Sequence, residues 1–198
     1  MIPEEHFATK AKEYDQKRSK GIQGWLVNKE KTCVLKSLQI EKEEKILDAG
    51  SGSGYYSLLI KKAGGNPYGV DFSAEMIKQL KARGIQGEVA DLENFNLQRK
   101  FDKILCAGAL EFLKNPELAV KNFNKHLKTN GVLIILYPRI SIGGIIYKSY
   151  HILHGIKIRL FTRSEIKGIV EKNGFKVLNQ ETANMNCAVL KAVKQQDL

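Results

Sequence analysis

From about Lys45 onward the spacing of apolar positions switches repeatedly between two periods, and each switch marks an element. Short continuous or alternating apolar runs predict strands at Lys45–Ala49, Pro67–Asp71, Glu88–Ala90, Phe101–Cys106, Val132–Tyr137, Phe175–Glu181 and Cys187–Ala192. Helical spacing fills the gaps. One helix is expected over Tyr55–Ala63, with Leu58, Leu59 and Ala63 inward. A second is capped by Ser73, passes through Met76, Ile77 and Leu80, and ends near Gly84. Pro116 starts a third, through Leu118, Val120 and Phe123 to Leu127, and Asn130-Gly131 turns into the next strand. Arg163–Lys172 is the fourth, stopped by Asn173-Gly174. Strands alternating with helices imply a doubly wound α/β architecture: a mostly parallel sheet with helices on both faces.

The residues before the first strand add a helical extension. Phe7, Ala11 and Tyr14 lie at helical spacing, and Trp25, Leu26, Val34, Leu35 and Leu38 mark a second helical stretch. Residues 1–44 therefore read as a cap on the same domain that residues 45–198 build. At 198 residues the chain suffices for one core.

Charge changes this picture in one place. The net charge is +11, and residues 139–198 hold ten Lys/Arg against four Asp/Glu. Either this is a solvated surface or it marks an anionic partner near the last third of the chain. Cys33, Cys106 and Cys187 are scattered without metal-ligand or disulfide spacing, as expected of a reduced, cytoplasmic protein. The most apolar run, Val132 to Tyr147, is broken by Pro138 and Arg139 and is too short to span a bilayer.

The chemistry begins at Ile46-Leu47-Asp48-Ala49-Gly50-Ser51-Gly52-Ser53-Gly54, a strand that runs into a glycine turn and then a helix. Glycine there lets a ligand approach the backbone closely. The dinucleotide spacing fails, because Tyr55 or Ser57 stands where its third glycine is needed. The phosphate-loop pattern fails too, since no Gly-Lys-Ser/Thr follows.

The segment resembles motif I, D/E-x-G-x-G-x-G, of the class I S-adenosylmethionine (SAM)-dependent methyltransferases, with Asp48, Gly50, Gly52 and Gly54 at its defined positions. Four further stretches follow in family order. Gly69-Val70-Asp71-Phe72-Ser73, with Met76 beyond it, resembles motif II, and Val89-Ala90-Asp91-Leu92 resembles motif III. Phe101 to Phe112 looks like motif IV, and Leu127 to Leu133 resembles the turn into strand five. The resemblance implies the seven-stranded fold with an antiparallel last strand, SAM as cofactor and S-adenosylhomocysteine as its product. It also implies roles. Gly50, Ser51, Gly52 and Gly54 would lie along the methionine part and Asp48 toward its ammonium. Asp71 would accept from the ribose hydroxyls, Asp91 and Leu92 would meet the adenine, and Phe72, Met76 and Ala107 would complete the site. Tyr14 would close over the cofactor, or simply serve as a core aromatic.

The acceptor is less legible. Methyl transfer from a sulfonium needs alignment and exclusion of water, and a base only where the acceptor carries a proton to lose. Cys106-Ala107-Gly108-Ala109 stands where methylases of exocyclic base amines carry Asn/Asp-Pro-Pro-aromatic, and Cys106 lacks the preceding proline of the pyrimidine enzymes. No specific nucleic-acid partner is expected. Residues 138–163 resemble the lid-like insertion that family members place over the substrate. They hold Arg139, Lys148, Lys157, Arg159 and Arg163 with no acid, among many isoleucines. That mixture suits a small amphipathic or acidic molecule, or a transient contact with anionic lipid. His151 and His154, three residues apart, are the candidate bases, or two ordinary polar side chains. An RNA or protein methyltransferase and a non-catalytic SAM-binding module are the alternatives.

Overall fold

A computed structural model describes residues 21–196, except the side chains of residues 22 and 23. Seven strands form one sheet: β1 (Lys45–Ala49), β2 (Asn66–Asp71), β3 (Gln86–Val89), β4 (Phe101–Ala107), β5 (Leu127–Pro138), β6 (Phe175–Thr182) and β7 (Cys187–Lys194). Their order is β3-β2-β1-β4-β5-β7-β6, and β7 runs antiparallel to both of its neighbours. The helices are α1 (Gly21–Leu38), α2 (Tyr55–Lys62), α3 (Ala74–Ala82), α4 (Pro116–His126), α5 (Ile142–Leu153) and α6 (Arg163–Lys172), with one 3-10 turn at Leu110–Phe112. The expected architecture, antiparallel last strand included, is the observed one.

Alternation along the strands divides the core. Leu47, Ile104, Cys106, Leu133, Ile135 and Leu190 face α4 and α6, while Ile46, Leu105, Ile134, Leu136 and Val189 face α1 and α2. Val34 and Leu38 of α1 are fully buried there. Burying two such side chains contributes roughly 3–6 kcal/mol to holding the helix on the sheet. The turn between β6 and β7 adds a polar clip: Asn184 Nδ2 donates to Glu30 Oε1 (2.8 Å) and to the Leu26 carbonyl (3.1 Å). Apolar burial and this clip together hold α1 against the sheet. Trp25, expected in its apolar stripe, is instead half-exposed with the Lys29 ammonium 3.9 Å from the ring centre.

Three other departures concern element faces and ends. In α2 the inward residues are Tyr56, Ser57 and Ile60, with Leu58 and Leu59 only partly buried and Ala63 exposed. The helix starts directly from Gly54 in a left-handed conformation (φ 94°), which rotates its inward face away from the expected one. β5 begins at Leu127 rather than Val132. Leu127 pairs with Phe101 and Val132 with Lys103, so the intervening residues, Asn130 among them at φ 60°, bulge outward. β3 runs from Gln86 to Val89, two residues earlier than the expected start at Glu88, and its ladder with β2 closes with the Ala90 N–H donating to the Asp71 carbonyl (2.9 Å).

Residues 138–163 divide in two. Ser141 caps α5 by accepting from the Gly144 N–H (3.0 Å), and the helix stands on its two glycines. A Cβ at Gly143 would lie 2.4 Å from Asn186 Oδ1, and one at Gly144 would lie 2.0 Å from the Arg139 carbonyl oxygen. After α5 the chain returns through Ile156, Ile158 and Phe161, all buried. The Arg159 N–H donates to the Glu111 carbonyl and the Phe161 N–H to that of Pro138, both at 3.0 Å.

Candidate functional site

In an open α/β sheet the ligand crevice forms at the carboxyl ends of the strands where strand order reverses. Here that point lies between β1 and β4, whose ends pair as Ala49 with Cys106. The glycine turn after β1 sits at this edge, held by the Gly50 and Ser51 N–H groups donating to the Val70 carbonyl of β2 (2.8 and 3.0 Å).

The three glycines have different reasons to be glycine. All have positive φ, at 79° for Gly50, 51° for Gly52 and 94° for Gly54. A Cβ on Gly50 would lie 2.3 Å from Ala109 Cβ, so the turn after β4 packs directly on the turn after β1. One on Gly54 would strike Leu80 Cδ1 of α3 at 2.6 Å. Above Gly52 nothing lies within 4 Å. That bare backbone is a cradle open to a ligand.

Two buried carboxylates flank it. Asp48 is almost wholly buried, and Ser57, one turn into α2, donates its hydroxyl to Asp48 Oδ2 (2.6 Å). Burial pushes the Asp48 carboxyl up to about 6, with the Ser57 hydrogen bond opposing. Asp71 accepts from the Gly52 N–H at Oδ2 (2.8 Å) and from the Ser73 N–H at Oδ1 (3.0 Å). Burial raises it as well, again against its backbone hydrogen bonds. The Phe72 backbone also donates to it. A carboxylate has about four lone-pair sites, so part of its capacity remains for other donors. Ser51 Oγ is also buried and has no hydrogen-bond partner among the described residues.

The remaining predicted residues fall around this cradle with different exposures. Phe72, next to Asp71, is half-exposed. Met76 is buried in α3, its N–H donating to Ser73 Oγ (3.4 Å). Leu92 is buried beside Gly50, where an added Cβ would stand 3.7 Å from Leu92 Cδ1. Asp91 is exposed and accepts the Glu93 N–H at 3.0 Å. Ala107 ends β4, half-buried and paired with Leu136. Tyr14 lies outside the described residues.

The two candidate bases part company. His151 is on the inner side of α5, its ring edge-on to Tyr147 (4.6 Å) and to Phe112 of the turn after β4 (5.9 Å). His154 is exposed at the end of the helix, with Nδ1 2.8 Å from the Tyr150 carbonyl. His126 takes no part: it is buried in the core between the Leu97 N–H and the Asn122 carbonyl.

Several further residues at this edge were not among the predicted site residues. Ser57 sits nine positions after Asp48 inside a helix, and Ala109 is one small residue in a loop. Glu111 is buried, and its carbonyl accepts from the Arg159 N–H of the chain returning after α5. Tyr137 and Arg139 bring to the end of β5 a buried hydroxyl and a buried Nε, neither hydrogen-bonded among the described residues.

Comparison with known proteins agrees with this layout. Residues 28–180 match the family described as the methyltransferase domain. The ubiquinone biosynthesis O-methyltransferase of Pelagibacter ubique is 26% identical over 177 residues, covering 79% of this chain and 74% of that protein. The malonyl-[acyl-carrier protein] O-methyltransferase of Hamiltonella defensa is 27% identical over 107 residues, which are 52% of this chain. The chain spans only 41% of that relative's length and 40% of that of a relative from Invertebrate iridescent virus 6. Among solved structures, the magnesium protoporphyrin IX methyltransferase of Synechocystis PCC 6803 with bound SAH superposes with a TM-score of 0.75 at 17% identity, covering 97% of this chain and 98% of that one. The chain belongs to the methyltransferase domain family and has the class I fold of the SAM-dependent methyltransferases.

Proposed function

We propose that the chain transfers a methyl group from SAM to a small amphipathic molecule seated over the ends of β4 and β5, beneath α5. The observation that carries the SAM site is the cradle at Gly52. Its N–H is tied to Asp71, its surface is open, and two buried carboxylates stand on either side. Those residues fit SAM. Asp71 takes the ribose diol with its remaining lone pairs, and Asp48 faces the ammonium. Gly50, Ser51, Gly52 and Gly54 line the methionine part, with Ser51 Oγ available to it. Phe72 offers an exposed ring face to the adenine, flanked by Asp91 and Leu92, and Met76 and Ala107 close the remaining sides. When bound, SAM supplies a methyl group already activated by its sulfonium.

What the chain adds is alignment, dryness and a proton acceptor. The backbone around Gly50 is locked by Ala109 and Leu92, so the turns after β1 and β4 hold a fixed separation. The inner side of α5 brings Tyr147 and His151 toward Phe112, at the edge where β4 ends. His151 is placed to take a proton from an acceptor hydroxyl or amine, whereas His154 is not. Arg139 leaves β5 at the same edge and suits an acidic group on the acceptor. The O-methyltransferase relatives act on small or carrier-bound molecules by their names, in keeping with this class of acceptor.

Titration calorimetry tests the cofactor half. SAM and SAH should each bind at one site, and NAD and ATP should give no heat. NAD binding with no response to SAM would overturn the reading.

A further inference from the structure

Helix α5 is turned inside out. Six of its apolar side chains, Ile142, Ile145, Ile146, Tyr150, Ile152 and Leu153, are exposed, with Ile142 and Leu153 at 83%. At 3.6 residues per turn they form one stripe covering nearly half of the helix circumference. The opposite side carries Gly143, Gly144, Tyr147 and His151, and this side meets the protein. The orientation is not free to reverse. Both glycines press on backbone and polar atoms where a Cβ would come within 2.4 Å, so only this bare face can dock. Burial of apolar surface therefore did not set the helix's orientation, and its apolar stripe is left facing outward. Contiguous exposed apolar surface of this kind marks an interaction site.

The surrounding charge identifies the occupant. Residues 139–163 contain five Lys/Arg and no Asp/Glu. Lys148 stands at the border of the stripe and Lys157 is exposed just beyond the helix end. In an isologous pairing of two copies these cations would face each other, with no acid in the segment to meet them. An anionic bilayer complements both features: the isoleucines enter the acyl boundary while the lysines stay among the headgroups. Among the described residues no helix is long and apolar enough to cross a membrane, so the contact is one of seating in the interface. We infer that α5 is an interfacial anchor that seats the chain on anionic lipid, with the carboxyl edge of its sheet toward the bilayer. This builds on the proposed acceptor site only in what the seat serves: an amphipathic acceptor reaches His151 from the lipid surface.

Vesicle flotation of the full chain tests the inference without any methyl transfer, so it succeeds or fails independently of the acceptor reading. The chain should float with phosphatidylcholine vesicles containing phosphatidylglycerol and stay behind with phosphatidylcholine alone. Ile146→Asp combined with Leu153→Asp should weaken flotation more than about tenfold. Lys148→Glu should weaken it roughly fivefold. Unchanged SAM heats in calorimetry would show that each variant is folded. Failure of the wild-type chain to float with the anionic vesicles would overturn the inference, and so would flotation that survives the double aspartate variant. A concentration-dependent dimer in sedimentation velocity, broken by the aspartates and unaffected by vesicles, would assign the stripe to a second copy instead.

Discussion

Asp71 Oδ2 accepts the backbone N–H of Gly52 across 2.8 Å, joining the acid at the end of β2 to the middle glycine of the turn after β1. One carboxylate thus shapes the cradle with part of its hydrogen-bonding capacity and, on the proposed function, would give the remainder to the ribose. Asp71→Ala removes both functions. If the charged hydrogen bonding to the ribose is worth about 1.5–3 kcal/mol, SAM affinity falls by about ten- to a hundredfold. Calorimetry on protein that retains its circular dichroism spectrum measures this. A loss under about threefold would reduce Asp71 to a brace for Gly52 and Ser73.

Asp48 predicts a trade between stability and binding. Its carboxyl, at about 6 instead of 3.8, takes up a proton more readily in the folded chain than in the unfolded one. Its contribution to stability is therefore most favourable below 3.8 and is lost as pH rises through about 6, at a cost of up to about 3 kcal/mol. Asp48→Asn should raise the melting temperature of the ligand-free protein above pH 6, with the gain vanishing toward acid. The same variant should bind SAM more weakly. In the wild type, affinity should fall as acidification through about 6 removes the charge that faces the ammonium. Thermal melts and calorimetry across pH check both signs.

Gly50 and Gly52 should respond differently to alanine. At Gly50 the new methyl meets Ala109 at 2.3 Å in a left-handed backbone, so Gly50→Ala should cost several kcal/mol, about 2–4, through overpacking and strain. At Gly52 there is space, and Gly52→Ala should cost only about 1 kcal/mol of stability while the methyl fills the cradle and blocks SAM. Urea unfolding beside SAM titration separates the two outcomes. Equal losses of stability at both positions would contradict the assignment of Gly52 to the ligand.

The parts of the fold that the sequence made legible are those set by neighbours along the chain. The Ser73 and Pro116 helix starts and the Asn173-Gly174 stop each depend on a few adjacent residues, and each appears where its pattern predicts. All seven strand runs are strands, though the ends of β3 and β5 differ from the expected ones. The glycine turn and its two acids were legible for the same reason, since their spacing is a property of one strand-turn-helix unit. What remained hidden is non-local. Nothing near Trp25 signals that Asn184, far along the chain, clips α1 through Glu30 and so leaves the indole at the surface. The bulge in β5 is set by its pairing with β4, and the outward stripe of α5 by what its two glycines touch. Apolar spacing predicts which residues share a face; it does not say which way that face is turned.

The histidines of α5 give a further contrast. His151→Asn should lower the rate of transfer about a hundredfold or more without changing SAM affinity, in the manner of a lost proton acceptor. His154→Asn should leave both within about twofold, because that ring is exposed and held to the Tyr150 carbonyl. The comparison requires an acceptor, and whichever molecule takes labelled methyl from a cell extract will serve. Equal effects of the two substitutions would remove His151 from the chemistry.

Where a labelled methyl group ends up decides whether the acceptor is a small molecule. The full chain is incubated with SAM labelled in its methyl group and a total cell extract, which is then separated into small-molecule, lipid-soluble, protein and RNA fractions. Small-molecule methylation predicts label in an organic-extractable, low-molecular-weight product, with none incorporated into protein or RNA at physiological salt. Stoichiometric label at one position in RNA or protein would contradict it.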